Sequence, residues 1–212
     1  MVLLTTGQAA EELGCAVTTF RRLVHAGVLP GLSRRGNRVM VPLSVVQALK
    51  DRAPTPLHQL AAPELAVLRV DTARPAPEGN RRWVGFAAEL PPADLLAALR
   101  GHWRCDAVAV AAGGVLPITL SGYVVAVLTG LQRWEKSAPG RHTFPDAILA
   151  GHLTDLARPV THLTAPDADG RATAGLLLGT RLESHSGGAI AYVTTRPTSG
   201  HAATSSAPHQ GS

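Results

Sequence analysis

Three arginines, Arg34, Arg35 and Arg38, crowd around a Gly36-Asn37 pair in the stretch GLSRRGNRVMVP. Guanidinium groups do one kind of chemistry well. They hold anions, phosphate above all, through forked hydrogen bonds and a charge that does not titrate near neutral pH. Just upstream, Thr18, Thr19, Arg21, Arg22 and His25 add short hydroxyls and further cations. Side chains of these types read base edges and phosphates when a helix presents them. Residues 1–52 carry seven Lys/Arg against three acids, a net of +4, whereas the other 160 residues carry 13 against 12. The positive excess is therefore local, which favours a confined contact with a polyanion.

Other chemistry is harder to find. The chain has no dinucleotide-type glycine fingerprint, no Walker-type phosphate loop, no HExxH and no GxSxG elbow, so no catalytic set is expected. His102, His142, His152 and His162 show no metal-ligand spacing, and neither a metal nor a cofactor is expected. Glu183 to Gly188 (ESHSGG) sets Glu, His and Ser side by side. Adjacent residues seldom face one another, and a Gly-Gly turn explains the stretch. His102-Trp103 reads either as the rim of a site or as a core aromatic with a capping neighbour. Cys15 and Cys105 stand alone, which argues against a disulfide framework and fits a reducing cytosol. The start, MVLLTTGQAAEELG, lacks the basic and apolar regions of a secretory signal.

At 212 residues, 45% hydrophobic and 17% charged, most of the chain should fold. Thr5 and Gln8 have the spacing of a capping box opening a helix that Gly14 ends. A second helix is expected from about Val17 to Ala26, with Phe20, Leu23 and Val24 inward and Gly27 closing it. That leaves Thr18, Thr19, Arg21, Arg22 and His25 on the outside. VLPGLSRRGNRVMVPL then reads as two short strands around Arg35-Gly36-Asn37, and LSVVQALKDR as a third helix after Pro42. Pro54, Pro56 and Pro63 mark residues 53–63 as a linker.

Beyond it, ELAVLRVD and RRWVGFAAEL read as strands joined by the TARPAPEGN loop. A helix is expected from Pro91-Pro92 through Trp103, with Leu95, Leu96, Leu99 and Trp103 buried. The uncharged run Ala107 to Leu131 is long enough to cross a bilayer. Its glycines and Pro117 argue instead for a buried hairpin, LPITL and YVVAVL around Ser121-Gly122. FPDAILAGHLTDLA reads as a helix, AGLLLGTRL and AIAYVTT as a last hairpin around Ser184 to Gly188, and residues 195–212 as a low-complexity, disordered tail.

LLTTGQAAEELGCAVTTFRRLVHAGVLPG, a short hairpin and VPLSVVQAL together resemble the compact winged helix-turn-helix of the excisionase and MerR-type DNA-binding families. The resemblance covers residues 1–52. It implies that the second helix enters the major groove and that the hairpin is a wing on flanking DNA. Two positions depart from the pattern. Ala16 stands where the family commonly supplies a Ser cap, and Val17 where a polar residue is usual. On this reading Thr18, Thr19, Arg21, Arg22, His25, Arg34, Arg35, Asn37 and Arg38 form the DNA-binding set.

The expected class is α+β: a small N-terminal winged helix-turn-helix (1–52), a Pro-rich linker (53–63), and a mixed α+β domain (64–194) with a largely antiparallel sheet. That second domain would serve dimerisation or the sensing of a ligand or protein partner, its apolar hairpin offering a pairing surface. The function this implies is sequence-specific binding of double-stranded DNA by a prokaryotic transcriptional regulator. It would be a homodimer or higher homo-oligomer, cytoplasmic at the nucleoid, with no membrane partner and no enzymatic activity. Two alternatives stay open. One is an excisionase-like or replication accessory factor of a mobile element. The other is a nucleic-acid enzyme or modified-base reader that the helix-turn-helix merely targets.

Overall fold

Thr5 ends one element and starts the next. It closes strand β1 (Leu3–Thr5) and caps helix α1 (Thr6–Leu13). Its Oγ1 accepts from the Gln8 amide at 3.3 Å, while Gln8 Oε1 accepts from the Thr5 amide at 3.0 Å, the reciprocal pairing of a capping box. Gly14 stops α1 at φ 74°, a left-handed value that favours glycine. Helix α2 (Val17–His25) buries Phe20 and Leu23 and half-buries Val24. Strands β2 (Ser33–Arg35) and β3 (Arg38–Pro42) form a hairpin whose two-residue turn opens with Gly36 at φ 60°. With β1 they make a sheet in the order β1-β3-β2. Helix α3 (Leu43–Lys50) then covers it with Val45, Val46 and Leu49.

The computed structural model describes residues 1–76, 81–185 and 187–196. The expected tail past Arg196 and part of the TARPAPEGN loop therefore lie outside the described residues. Beyond α3 come β4 (Glu64–Val70), β5 (Arg74–Pro75), β6 (Trp83–Val84), α4 (Pro92–Leu99), β7 (Gly101–Arg104) and α5 (Ala107–Gly113). Next are β8 (Leu116–Leu120), β9 (Tyr123–Thr129), β10 (Glu135–Ala138), β11 (Arg141–Thr143) and β12 (Ile148–Asp155). β13 (Val160–Leu163), α6 (Ala168–Leu177) and β14 (Ile190–Thr194) complete the described elements. Six strands form one sheet, β13-β12-β9-β8-β4-β14, antiparallel except for the β4–β8 pair. A smaller sheet runs β10-β11-β7. The class is α+β. No helix among the described residues is long and apolar enough to cross a membrane.

Several local expectations are overturned. Ile148–Asp155 is a strand, not a helix. It lies between β9 and β13 with Leu149 to Leu153 all buried, and a strand covered on both faces has the same continuous apolar run as a buried helix. Ala174–Leu177 ends α6 and is not a strand; Ala174, Leu177 and Leu178 are buried at i, i+3 and i+4, a helical spacing. The expected pairing of AGLLLGTRL with AIAYVTT is replaced by that of β14 with β4. The α4 helix stops at Leu99 and Trp103 belongs to β7. Of RRWVGFAAEL only Trp83–Val84 is strand. The Ser121-Gly122 hairpin does form, with both residues left-handed at φ 54° and 84°, but it sits mid-sheet with β8 wholly buried. It offers no surface for pairing with a second copy.

The first fifty residues are bound closely to the rest. The Ala88 amide donates to Ala26 O at 2.8 Å and the Leu156 amide to Val28 O at 2.9 Å, both on the segment leaving α2. Buried Tyr123 donates its hydroxyl to Leu49 O at 3.2 Å at the end of α3. Residues 53–63 lie along the second part, with the Thr55 amide on Arg181 O at 2.8 Å and Thr55 Oγ1 2.7 Å from Thr180 Oγ1. One continuous apolar core runs from Ala9, Phe20 and Leu49 to Leu68, Val125 and Leu153.

Candidate nucleic-acid interface

On α2, Phe20 and Leu23 point into the core, so Thr18, Arg21, Arg22 and His25 emerge on the opposite side at helical spacing. All four are exposed. Arg21 and His25 meet Asn37 and Arg38 of the hairpin, with Thr5, Thr6, Val24 and Val39, around a concavity of about 370 Å³. Thr5 and Thr6, the cap and first residue of α1, line it as well; nothing local in the sequence marks them for this place. The first turn of α2 has no side-chain cap, since Ala16 occupies the cap position. Its amides are left for solvent or for an anion.

The hairpin is more strongly charged still. Arg34, Arg35 and Arg38 are exposed, and Arg35 lies directly opposite Arg38 in the ladder. Like charges facing across strands are destabilising. Among the described residues no acid lies within ion-pair distance of Arg21, Arg34, Arg35 or Arg38.

Two members of the set also touch the second part of the chain. The Thr19 carbonyl accepts from Ser121 Oγ at 2.9 Å, and Thr19 is half-buried. Arg22 Nε lies 3.2 Å from Asp71 Oδ1, just past β4. Together with Arg69, Thr119, Ser121 and His185 these residues line a cleft of about 590 Å³ between α2 and the large sheet. Asp71 carried no mark in the sequence, because a pairing across so many residues leaves no local pattern. The two side chains are 47% and 60% exposed, so the pair contributes less than about 1 kcal/mol. Asp71 nevertheless sets a negative charge beside the outer face of α2. Replacing it with asparagine is expected to tighten binding to duplex DNA by up to about fivefold, with a larger gain at low salt. Unchanged or weaker binding in a salt-titrated anisotropy assay would show that Arg22 takes no part.

The remaining singled-out groups are dispersed. Cys105 Sγ is 3.9 Å from His142 Nδ1, but burial, then Asp106, push its thiol up to about 11, so it is protonated at neutral pH. His152 and His162 stack at 5.0 Å across β12 and β13. Among the described residues no group of three or more His, Cys, Asp or Glu is placed to hold a metal. Glu183 and His185 are exposed, and Ser186 lies outside the described residues. A family model described as a helix-turn-helix domain matches residues 3–53. No curated protein and no solved structure matches the chain.

Proposed function

We propose, from the premise that residues 3–53 are a DNA-binding helix-turn-helix domain, that this protein is a sequence-specific regulator of transcription of the winged, excisionase/MerR-like kind. One observation carries the reading. Arg21 and His25 of α2 and Asn37 and Arg38 of the hairpin open onto a single groove with no acid paired to either arginine among the described residues. In this reading α2 lies in the major groove, where Thr18, Arg21 and His25 face base edges. Arg34, Arg35 and Arg38 hold the backbone alongside, and the uncapped first turn of α2 takes a phosphate.

A single module of this size covers only about 600–1,000 Å² of protein surface on DNA, so useful specificity calls for two copies on paired half-sites. A dimer on an inverted repeat supports a regulator. Cooperative filaments on direct repeats would instead mark an architectural factor of the excisionase kind. The discriminating variant is Arg21→Ala. A bidentate base contact contributes about 1–3 kcal/mol of discrimination. Selection from a random duplex library should therefore return a site logo with one or two positions flattened, while affinity for non-specific DNA changes little. An unchanged logo would remove α2 from the reading role.

A further inference from the structure

The small sheet of β7, β11 and β10 frames a second group of cations that the helix-turn-helix does not use. Arg81, Arg100 and Lys136, with the His102 imidazole and with Ser137 and Thr143, line a cavity of about 320 Å³. The one acid in its wall, Glu135, is held by Arg133 Nη2 at 2.7 Å. Arg81 is fixed in place. Its Nη1 donates to Gly101 O at 2.9 Å and Ala98 O at 3.3 Å, and its guanidinium lies over the Trp103 ring at 5.6 Å. Its Nε is buried without an acceptor among the described residues, and buried donors are rarely left so.

The backbone beside it is unusual. His102 sits at φ 65°, a left-handed value that costs energy for a residue with a Cβ and gathers at functional positions. It is pinned there from both sides. A Cβ on Gly101 would meet Thr143 Cγ2 at 2.5 Å, so only glycine lets β7 lie this close to β11. Arg141 Nη1 grips the His102 carbonyl at 2.9 Å. The imidazole itself makes no hydrogen bond among the described residues. Burial, then Arg81, then Arg141 hold His102 below its ordinary value, leaving a neutral ring with a donor to offer.

We propose that this cavity binds a small phosphate monoester, its phosphate held by Arg81, Arg100 and Lys136 and by the Ser137 and Thr143 hydroxyls. Three cations with hydroxyl donors match a dianionic, tetrahedral group better than a singly charged, planar carboxylate. The volume falls in the range of small-molecule pockets and leaves room for an organic part. The burial of Arg81 also argues for a small ligand over a nucleic-acid backbone: Arg81 is half-buried, with Arg100 and Lys136 exposed, whereas a duplex is held by cations that all stand proud of the surface. The proposal is independent of the reading of residues 3–53.

Isothermal titration of the full chain with glycerol 3-phosphate, inorganic phosphate and acetate tests it. Saturable binding of glycerol 3-phosphate is expected, with phosphate weaker and acetate silent. In the Arg100→Ala/Lys136→Ala double variant, whose circular dichroism should match that of the parent because both side chains are exposed, affinity should fall about tenfold or more. Duplex affinity of that variant should not change. The proposal fails if glycerol 3-phosphate does not bind at millimolar concentration, or if inorganic phosphate binds and the monoester does not. Equal binding of acetate, or binding undiminished in the double variant, defeats it as well. Loss of duplex affinity in that variant would reassign the patch to the DNA surface.

Discussion

Converting Arg34, Arg35 and Arg38 together to alanine should weaken binding to every duplex, cognate or not, by about a hundredfold at about 0.15 M salt. Each phosphate contact releases close to one counterion, so the plot of log K against log salt should become shallower by about 2.7. Sequence preference should survive, since backbone contacts fix register without reading bases. The same substitutions should not harm the fold. All three side chains are exposed, and Arg35 faces Arg38 across the ladder, so removing them relieves a repulsion. A melting temperature equal to or above that of the parent, alongside the collapse in affinity, separates a binding role from a structural one. If affinity and salt slope stay as they were, the hairpin does not touch DNA.

The contrast between this hairpin and Asp71 shows what was legible beforehand. Thr5 with Gln8, Gly14, Gly27, Gly36-Asn37 and Ser121-Gly122 are local devices whose geometry follows from neighbouring residues, and each forms as the sequence implies. Outer and inner faces of α2 follow from Phe20 and Leu23 alone. Failures began where burial on both sides erased periodicity. In Ile148–Asp155, Leu149 to Leu153 are all buried, with β9 and β13 along the strand's edges and α6 and α4 packed against it, and nothing in that run distinguishes strand from helix. In α6 the start is marked locally, since Asp167 caps it by accepting from the Gly170 amide at 2.6 Å, the N-terminal signature of a helix. The Arg22–Asp71 pair, the Ser121 hydroxyl on Thr19 and the cations around His102 are meetings of distant segments. They follow from the topology of the sheet and leave no local pattern along the chain.

Those long-range meetings lead to the expectation with the greatest effect on stability. Phe20→Ala removes a fully buried ring from α2, a change that typically costs about 3–5 kcal/mol. In a chain of this size that lowers the melting temperature by roughly 6–20 °C. Which probe registers the loss is the informative part. Trp83, Trp103 and Trp134 all lie beyond residue 63, and residues 1–52 contain no tryptophan. Their fluorescence therefore reports only the second part of the chain. If residues 53–63 were a loose tether, the Phe20→Ala change would shift the far-UV circular dichroism of α1 to α3 and leave the tryptophan transition in place. The apolar core is continuous from Phe20 to Leu153, and Ala88, Leu156 and Tyr123 bond directly to Ala26, Val28 and Leu49. Both probes should accordingly fall together, with one midpoint. Separate midpoints would mean that these hydrogen bonds open readily and that α2 can leave the sheet without unfolding it. A common midpoint would mean that anything strengthening or weakening the second part is felt at the DNA-facing helix, because Arg22 and Thr19 are held by that same body.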